Sequence, residues 1–249
     1  MDEENIMNRL VYLFALITAV FVGTSAYADL PDVGSVIQGS VSVGRYNVPL
    51  PEGSWTVLKA AEVQDTRGVT FKKGPVGHVP MYKLVLAQAH HNLLSGIVRI
   101  DATASFEADE GYSSPHPITL KNAYHSESFF TSGNARGKPS GMFIEPYRFL
   151  SSNFGGIVKD FIESNHLTVS ESAFVSVNFN LVKHGGFLKI QYIFNPRAHG
   201  STLNHAHADA GHWHPTHHEL LEQNEKSILE HYIQWAKSFQ PQVVATLGN

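Results

Sequence analysis

The sequence predicts an α+β protein, in which a mostly antiparallel sheet is packed by a short helix and a long C-terminal helix. Strand-like segments fill most of the chain from residue 46 to about residue 150, and a hairpin follows at residues 175–194. Apolar and polar side chains alternate along both arms of that hairpin, which gives each strand one buried and one wet face. Two other segments repeat apolar residues at helical spacing. We therefore expect the helices to pack on one side of the sheet.

The remaining strands follow in chain order from the same alternation. They are predicted at residues 46–50, 55–63, 79–89, 93–104, 123–130 and 142–150. The turn Pro51-Glu52-Gly53 joins the first two, and the third and fourth form a hairpin around His90-His91-Asn92. The later hairpin turns at Lys183-His184-Gly185-Gly186.

Two helices are predicted. The first is capped by Asn153, and its apolar stripe consists of Phe154, Ile157, Val158, Phe161 and Ile162. The second runs from about residue 217 to residue 239. Thr216 and Glu219 match the T-x-x-E capping box at its start, and Pro241 marks its end. Its buried stripe is predicted to be Leu221, Ile228, Leu229, Tyr232, Trp235, Ala236 and Phe239.

The first 28 residues are typical of a secretory signal. An apolar run of about 13 residues ends in small residues, and Ala26-Tyr27-Ala28 matches the A-x-A pattern that signal peptidases cleave. The run is shorter than the roughly 20 residues that span a bilayer, which argues against a retained anchor. Met7 gives a cleaner start than Met1 because acidic residues precede it. We expect a signal peptide at residues 1–28 and one periplasmic or secreted domain at residues 29–249, with no stable membrane span.

Charge and cysteine content exclude some functions. The chain has a formal charge of −4, and its first 28 residues hold three acids and one base, which leaves −2 for the rest. With no basic stripe to hold phosphates, we expect no nucleic-acid partner. The chain has no cysteine, which excludes disulfides, thiol nucleophiles and thiolate metal ligands.

Four short motifs resemble those of a known protein family. They are PLPEGSW at residues 49–55, YIFNP at residues 192–196, WHP at residues 213–215, and Trp235-Ala236. In these motifs the chain resembles a family of uncharacterised exported proteobacterial proteins, and the resemblance spans most of the predicted domain. It implies export, but it implies no activity and no site residue.

The most unusual feature is a His-rich loop at about residues 199–218, which holds seven of the fifteen histidines. It contains two H-x-H pairs, His205 with His207 and His212 with His214. In extended backbone, residues two apart point the same way, so each pair can present two imidazoles together. A bend between the pairs would bring four nitrogens together, enough for a tetrahedral zinc site, and copper and nickel also suit imidazole ligands.

Two further histidines extend this predicted site. His217 and His218 fall at the first two positions of the predicted C-terminal helix, where the helix dipole disfavours imidazolium and keeps the rings neutral. His90-His91 would join the site only if the fold brought them near residue 205. The predicted metal ligands are His205, His207, His212, His214, His217 and His218.

The sequence leaves several functions open. The leading hypothesis is an exported protein that binds or buffers zinc, copper or nickel through the His-rich loop. The alternative is a non-enzymatic periplasmic interaction or small-ligand-binding module, whose site is the open sheet face or the cleft between sheet and helices. In that case the loop is a solvated connection, or a pH-responsive element that gains charge below about pH 6.5. A metallohydrolase would need Glu219 as general base, but no catalytic motif such as H-E-x-x-H is present, which favours binding over catalysis.

Overall fold

The structure is a computed structural model, and it describes residues 30–65, 79–104, 123–129, 140–149, 151–169, 174–183, 186–200 and 221–248. The strands of this part of the chain are β1 (Val36–Ile37), β2 (Ser40–Val43), β3 (Tyr46–Pro49), β4 (Trp55–Asp65), β5 (Val79–His90), β6 (Leu93–Thr103), β7 (His125–Phe129), β8 (Ser140–Tyr147), β9 (Phe174–Lys183) and β10 (Gly186–Phe194). The helices are α1 (Ile157–Ser164) and α2 (Gln223–Ala245). The predicted α+β class is confirmed.

Eight of these strands form one antiparallel sheet in the order β1-β4-β5-β6-β10-β9-β8-β7, and β2 and β3 form a separate two-stranded sheet. The predicted hairpins β5–β6 and β9–β10 are both present, and they meet at the centre of the sheet, where β6 pairs with β10. The β5–β6 hairpin turns at His91 and Asn92, whose φ angles of 48° and 59° are the positive values that a tight two-residue turn requires.

The face of the sheet under α2 is apolar from β4 to β8. One row of paired residues crosses six strands, and each of its side chains is fully buried: Val57, Leu86, Val98, Tyr192, Val177 and Ile144. Tyr232 and Ala236 of α2 pack into the same core cluster. Each fully buried apolar side chain of this kind contributes about 1.5–3 kcal/mol, so the row anchors the fold.

The short helix α1 packs on the opposite face of the sheet. Its Val158 lies in a second core cluster with Ala87, Ile97 and Ile193. The prediction that both helices pack on one side is therefore wrong. Alternation places the polar residues of a strand on one face, but it does not show whether that face is open to water. Asn178 of β9, for example, lies on the polar face and is fully buried.

The start of α1 differs from its prediction. The apolar stripe is confirmed, because Phe154 and Val158 are buried and Phe161 packs against them. The N-cap is Gly156 in a left-handed conformation with φ of 85°, and not Asn153. The Asn153 amide instead donates to the Tyr147 hydroxyl at 3.3 Å and to the Arg148 carbonyl at 3.4 Å.

The long helix α2 begins later than predicted. Its N-cap is Glu222, which forms a capping box with Glu225, so the prediction of a helix from residue 217 is wrong. Thr216, His217 and His218 lie outside the described residues, and the helix-dipole argument for the two histidines does not apply to α2. The side-chain carboxylates of Glu222 and Glu225 accept hydrogen bonds from backbone N–H groups that the first helical turn leaves without partners.

The end of α2 also differs, because Pro241 lies inside the helix and does not end it. Proline removes one backbone hydrogen bond and costs about 3 kcal/mol in a helix interior. Val243 follows it on the core side and is fully buried, which offsets part of this cost. Neither α2 nor α1 is long and apolar enough to cross a bilayer.

The turn Pro51-Glu52-Gly53 joins β3 to β4 without pairing them, because β3 pairs with β2 while β4 pairs with β1 and β5. Two buried hydrogen bonds hold this connection in place, one within the segment and one from β10. The Trp55 indole N–H donates to the Pro51 carbonyl at 2.9 Å, and the Tyr192 hydroxyl donates to the Pro49 carbonyl at 2.8 Å.

We predict that Tyr192→Phe lowers the free energy of unfolding by about 1–3 kcal/mol, because the Pro49 carbonyl loses a buried donor while the ring is kept. Urea unfolding followed by circular dichroism measures this as a lower midpoint at unchanged slope. Tyr46→Phe serves as the control and should cost less, since its hydroxyl contacts are long, at 3.4 Å. A midpoint for Tyr192→Phe equal to that of the parent would contradict the prediction.

Candidate functional site

The predicted metal ligands are not placed by the structure. His205, His207, His212, His214, His217 and His218 all lie outside the described residues. Within the part of the chain that the structure describes, no three His, Asp or Glu side chains are grouped so that they could hold a metal ion. The metal site therefore stays a prediction.

Three described histidines interact beside the point where the His-rich loop begins. The His199 ring lies 6.3 Å from the His231 ring and 5.5 Å from the Tyr232 ring, measured between centroids. Burial of the His199 ring, together with repulsion from His231 and then His90, lowers the pKa of His199 although the residue as a whole is exposed. We call His90, His199 and His231 the histidine group. Sequence reasoning missed His231, because a single histidine within a helix carries no spacing signal.

Two rows of mostly polar side chains cross the sheet on the face opposite α2. In the first row, Lys59, Val85, Arg99, Gln191 and Asn178 are paired from β4 to β9. In the second row, Lys83, Asp101, Lys189 and Asn180 are paired from β5 to β9. Because the side chains of one row point the same way, the two rows make a polar surface next to the apolar cluster under α1.

Lys59 faces this surface because of a β-bulge. The register of β4 against β5 shifts between Val57 and Lys59: Val57 pairs with Leu86, whereas Lys59 pairs with Val85. Strict alternation would place Lys59 on the apolar face together with Val57. The bulge turns its side chain to the opposite face, and bulges that redirect a side chain in this way are frequent beside functional sites.

A cleft of about 230 Å³ opens over the β4–β6 end of the two rows. One wall is the sheet, and the other is the segment that leads into α1. Its charged and polar lining consists of Lys59, Lys83, Arg99, Asp101 and Asn153, while Val85 and Phe154 supply apolar surface. We call it the polar cleft. It lies between the sheet and the segment that leads into α1. The hypothesis of a small-ligand-binding module predicted a site in a cleft between sheet and helices.

Arg99 and Asp101 form an ion pair inside the polar cleft. Arg99 Nη2 lies 3.0 Å from Asp101 Oδ2, and the two side chains are 35% and 13% exposed. Within the described residues, the second Asp101 oxygen, Oδ1, is buried with no hydrogen-bond partner. A guanidinium has five N–H donors in a planar fork, so the pair orients Arg99 and leaves donors for a ligand.

Tyr147 lies beside the cleft wall, where it contacts Asn153. Its hydroxyl accepts a hydrogen bond from the Asn153 amide at 3.3 Å. Burial raises the pKa of Tyr147 above its ordinary value, and Glu145 adds to this rise, whereas the Asn153 hydrogen bond and Arg99 oppose it. The tyrosine therefore stays a neutral hydroxyl at physiological pH.

A buried hydrogen-bond network fixes the far end of the polar rows. The Ser176 hydroxyl accepts from the amides of Gln191 and Asn178, each at 3.0 Å, and Asn178 also donates to Glu145 at 3.3 Å. Burial raises the pKa of Glu145, while Lys189 and the Asn178 hydrogen bond act in the opposite direction. The network links β8, β9 and β10, and within the described residues the Asn178 Oδ1 atom is buried with no hydrogen-bond partner.

Comparisons with protein-family models, with curated proteins and with solved structures found no match to this chain. The resemblance to uncharacterised exported proteins therefore stays a prediction. Its described motifs meet within the core: Tyr192 bonds to Pro49, and the Tyr192 and Phe194 rings lie 5.5 Å and 5.0 Å from the Trp235 ring. These motifs build the scaffold and do not line the polar cleft.

The residues of the polar cleft were not identified from the sequence. Lys59, Arg99 and Asn153 lie far apart along the chain. Nothing in their own segments distinguishes Lys59 and Arg99 from solvated strand residues, and Asn153 was predicted only as a helix cap. The alternation in β6 places Arg99 and Asp101 on one face, which was a usable signal. Lys59 lies on the same face as Arg99 and Asp101 only because of the β-bulge between Val57 and Lys59, and the sequence pattern does not predict that bulge.

We predict that acid destabilises the fold partly through His199. Its pKa lies below the ordinary 6.5, so the unfolded chain takes up the proton first as pH falls, and stability is lost below about pH 6.5. His199→Gln should therefore flatten the decline of unfolding free energy below that pH, measured by urea titrations at several pH values. His166→Gln, at an exposed histidine in the turn after α1, is the matched substitution for comparison. Equal declines in parent and His199→Gln would refute the assignment.

Proposed function

We propose that this protein is an exported binding protein that holds a small polar ligand in the polar cleft and performs no covalent chemistry on it. The observation that carries the proposal is the redirection of Lys59 by a bulge into a cleft where Lys83, Arg99 and Asp101 also lie. Convergent polar groups over a partly apolar floor are typical of small-molecule sites.

The size and chemistry of the polar cleft support binding over catalysis. Its volume of about 230 Å³ is below the roughly 300–1,000 Å³ of pockets for drug-sized ligands, so it suits a small metabolite. Among the described residues that line it, none is serine, threonine or histidine, so that lining offers no hydroxyl nucleophile beside an imidazole base. Its charged groups are suited to hold and orient a ligand.

We predict that Asn153→Trp abolishes ligand binding without unfolding the protein, because Asn153 is exposed at the cleft wall and a large ring there would fill the space. The measurement is a two-dimensional NMR titration with pools of small polar metabolites. In the parent, binding should shift the amide signals of Val85, Arg99 and Gly155. In Asn153→Trp these shifts should disappear.

The matched control is Asn165→Trp, an exposed asparagine at the C-cap of α1 that does not line the cleft. It should bind as the parent does. The proposal fails if no pool shifts the cleft signals of the parent, or if Asn153→Trp retains the shifts.

A second candidate function is the collection of a divalent transition metal by the His-rich loop. The histidine group favours it, because His199 is the first histidine of that loop and its lowered pKa keeps the imidazole neutral, the form that coordinates metals. His231 and His90 lie close enough to repel a charge on it. The loop would then supply H-x-H pairs next to the neutral His199 imidazole on the folded scaffold.

We predict that the protein, free of any affinity tag, binds zinc, copper or nickel, and that changing His205, His207, His212 and His214 to alanine weakens binding at least tenfold, because each lost imidazole removes a ligand. Isothermal titration measures both. His199→Ala with His231→Ala tests whether the histidine group adds ligands, and His166→Ala is the control. Equal affinity of parent and fourfold variant would contradict metal collection by the loop.

A further inference from the structure

The floor of the polar cleft offers hydrogen-bond donors. Arg99 contacts Asp101 once, through Nη2 and Oδ2 at 3.0 Å, and within the described residues the Asp101 Oδ1 atom has no hydrogen-bond partner. A guanidinium carries five N–H donors, so this single contact leaves donors of Arg99 for a ligand. The Arg99 side chain is 35% exposed, so a ligand can reach it. A planar fork of this kind binds a carboxylate through two parallel hydrogen bonds.

Lys59 flanks the same floor from the other side. Val85 is paired with Lys59 of β4 and with Arg99 of β6, so the two cationic side chains start from opposite sides of one apolar residue. Neighbouring strands are about 4.8 Å apart, which is within the reach of both side chains. Lys83 also lines the cleft, but it has an interaction partner of its own and is not assigned to the ligand. The floor therefore favours the anionic end of a ligand.

The wall of the cleft offers a hydrogen-bond acceptor. The Asn153 amide nitrogen donates to the Tyr147 hydroxyl at 3.3 Å and to the Arg148 carbonyl at 3.4 Å, so both of its N–H groups are used within the protein. What Asn153 has left for a ligand is its carbonyl oxygen, which accepts hydrogen bonds. Phe154 follows it in the wall and supplies apolar surface. A ligand that fits the wall therefore carries a donor.

We propose that the polar cleft binds a small hydroxy acid, whose carboxylate accepts hydrogen bonds from Arg99 and whose hydroxyl donates to the Asn153 carbonyl. This inference rests on the proposed function, since it names the ligand class for the same cleft. A hydroxyl suits the wall better than an ammonium group, because Lys59 and Arg99 repel a further cation in so small a space. The carbon chain of the acid packs on Val85 and Phe154.

The two ends of the ligand should contribute unequally to its affinity. Hydrogen bonds to a charged group are stronger than those between neutral groups. Replacing the carboxylate by an amide should therefore weaken binding about tenfold to a hundredfold, whereas removing the hydroxyl should weaken it about threefold to tenfold.

The test is a two-dimensional NMR titration of the purified protein at constant pH and ionic strength, which gives Kd from the amide signals of Val85, Arg99 and Gly155. The probes are 2-, 3- and 4-hydroxybutyrate, which share one carbon chain and differ in the position of the hydroxyl. Butyrate lacks the hydroxyl, the amide of the tightest hydroxybutyrate lacks the charge, and the corresponding amino acid carries an ammonium group instead. At least one hydroxybutyrate should bind, and the three comparison compounds should bind more weakly.

Variants assign each contact to its residue. Asn153→Leu is similar in size and removes the acceptor, so it should bind the hydroxybutyrate no more tightly than butyrate. Asn165→Leu, at the exposed C-cap of α1, is the matched control and should keep the preference of the parent. Arg99→Lys keeps the charge and loses the fork, so it should weaken binding about tenfold. Arg197→Lys, which does not line the cleft, should leave binding unchanged.

Each outcome decides one of the two claims. If butyrate, the amide or the amino acid binds as tightly as the hydroxybutyrates, or if only compounds of another class shift the cleft signals, the hydroxy-acid class is wrong and the proposed function stands. If Asn153→Leu keeps the same preference for the hydroxyl as Asn165→Leu, Asn153 is not its acceptor and the inference fails. If neither these compounds nor the metabolite pools shift the cleft signals of the parent, both claims fail.

Discussion

The antiparallel register at the centre of the sheet is the constraint on which the rest of the structure depends. Side chains alternate between the two faces of a strand, so a slip of one residue would move every buried group to the wrong face. In the observed register, the pair Val98 and Tyr192 lies under α2. The neighbouring pair, Arg99 and Gln191, faces the opposite side of the sheet. The apolar core and the polar rows are therefore set by the same pairing.

The two faces of the sheet use this register differently. Under α2 the apolar surface is continuous, and α2 covers it together with the β2–β3 sheet, whose Val43, Tyr46 and Val48 pack into the same core cluster. On the opposite face, α1 covers only an apolar end around Ile97 and Ile193, and the polar rows fill the remainder. Buried polar groups are costly unless they bond to one another, and Ser176 accepts two amide donors there. The cleft thus lies at the β4–β6 end of the polar rows, beside the surface that α1 covers, and the polar network lies at their other end on β9 and β10.

Local sequence patterns predicted where the strands and helices form better than they predicted how these elements pack. The hairpins β5–β6 and β9–β10 and the apolar stripe of α1 follow from alternation and helical spacing, which are properties of one segment. The start of α2, its passage through Pro241 and the side on which α1 packs depend on contacts with distant residues. The site was harder still, because Lys59 reaches it only through a bulge that reverses the face expected from alternation.

The polar cleft and the histidine group lie at different places along the same strand. Val85 is on the cleft floor, whereas His90 ends β5. Five residues of strand at about 3.3 Å each separate the two positions by roughly 17 Å, while a metal contacts its ligands at about 2 Å. A metal held by the histidine group would therefore not touch a ligand bound in the cleft. Metal collection and ligand binding would be two separable properties of one scaffold, and a metal-assisted reaction in the cleft would need ligands from another part of the chain.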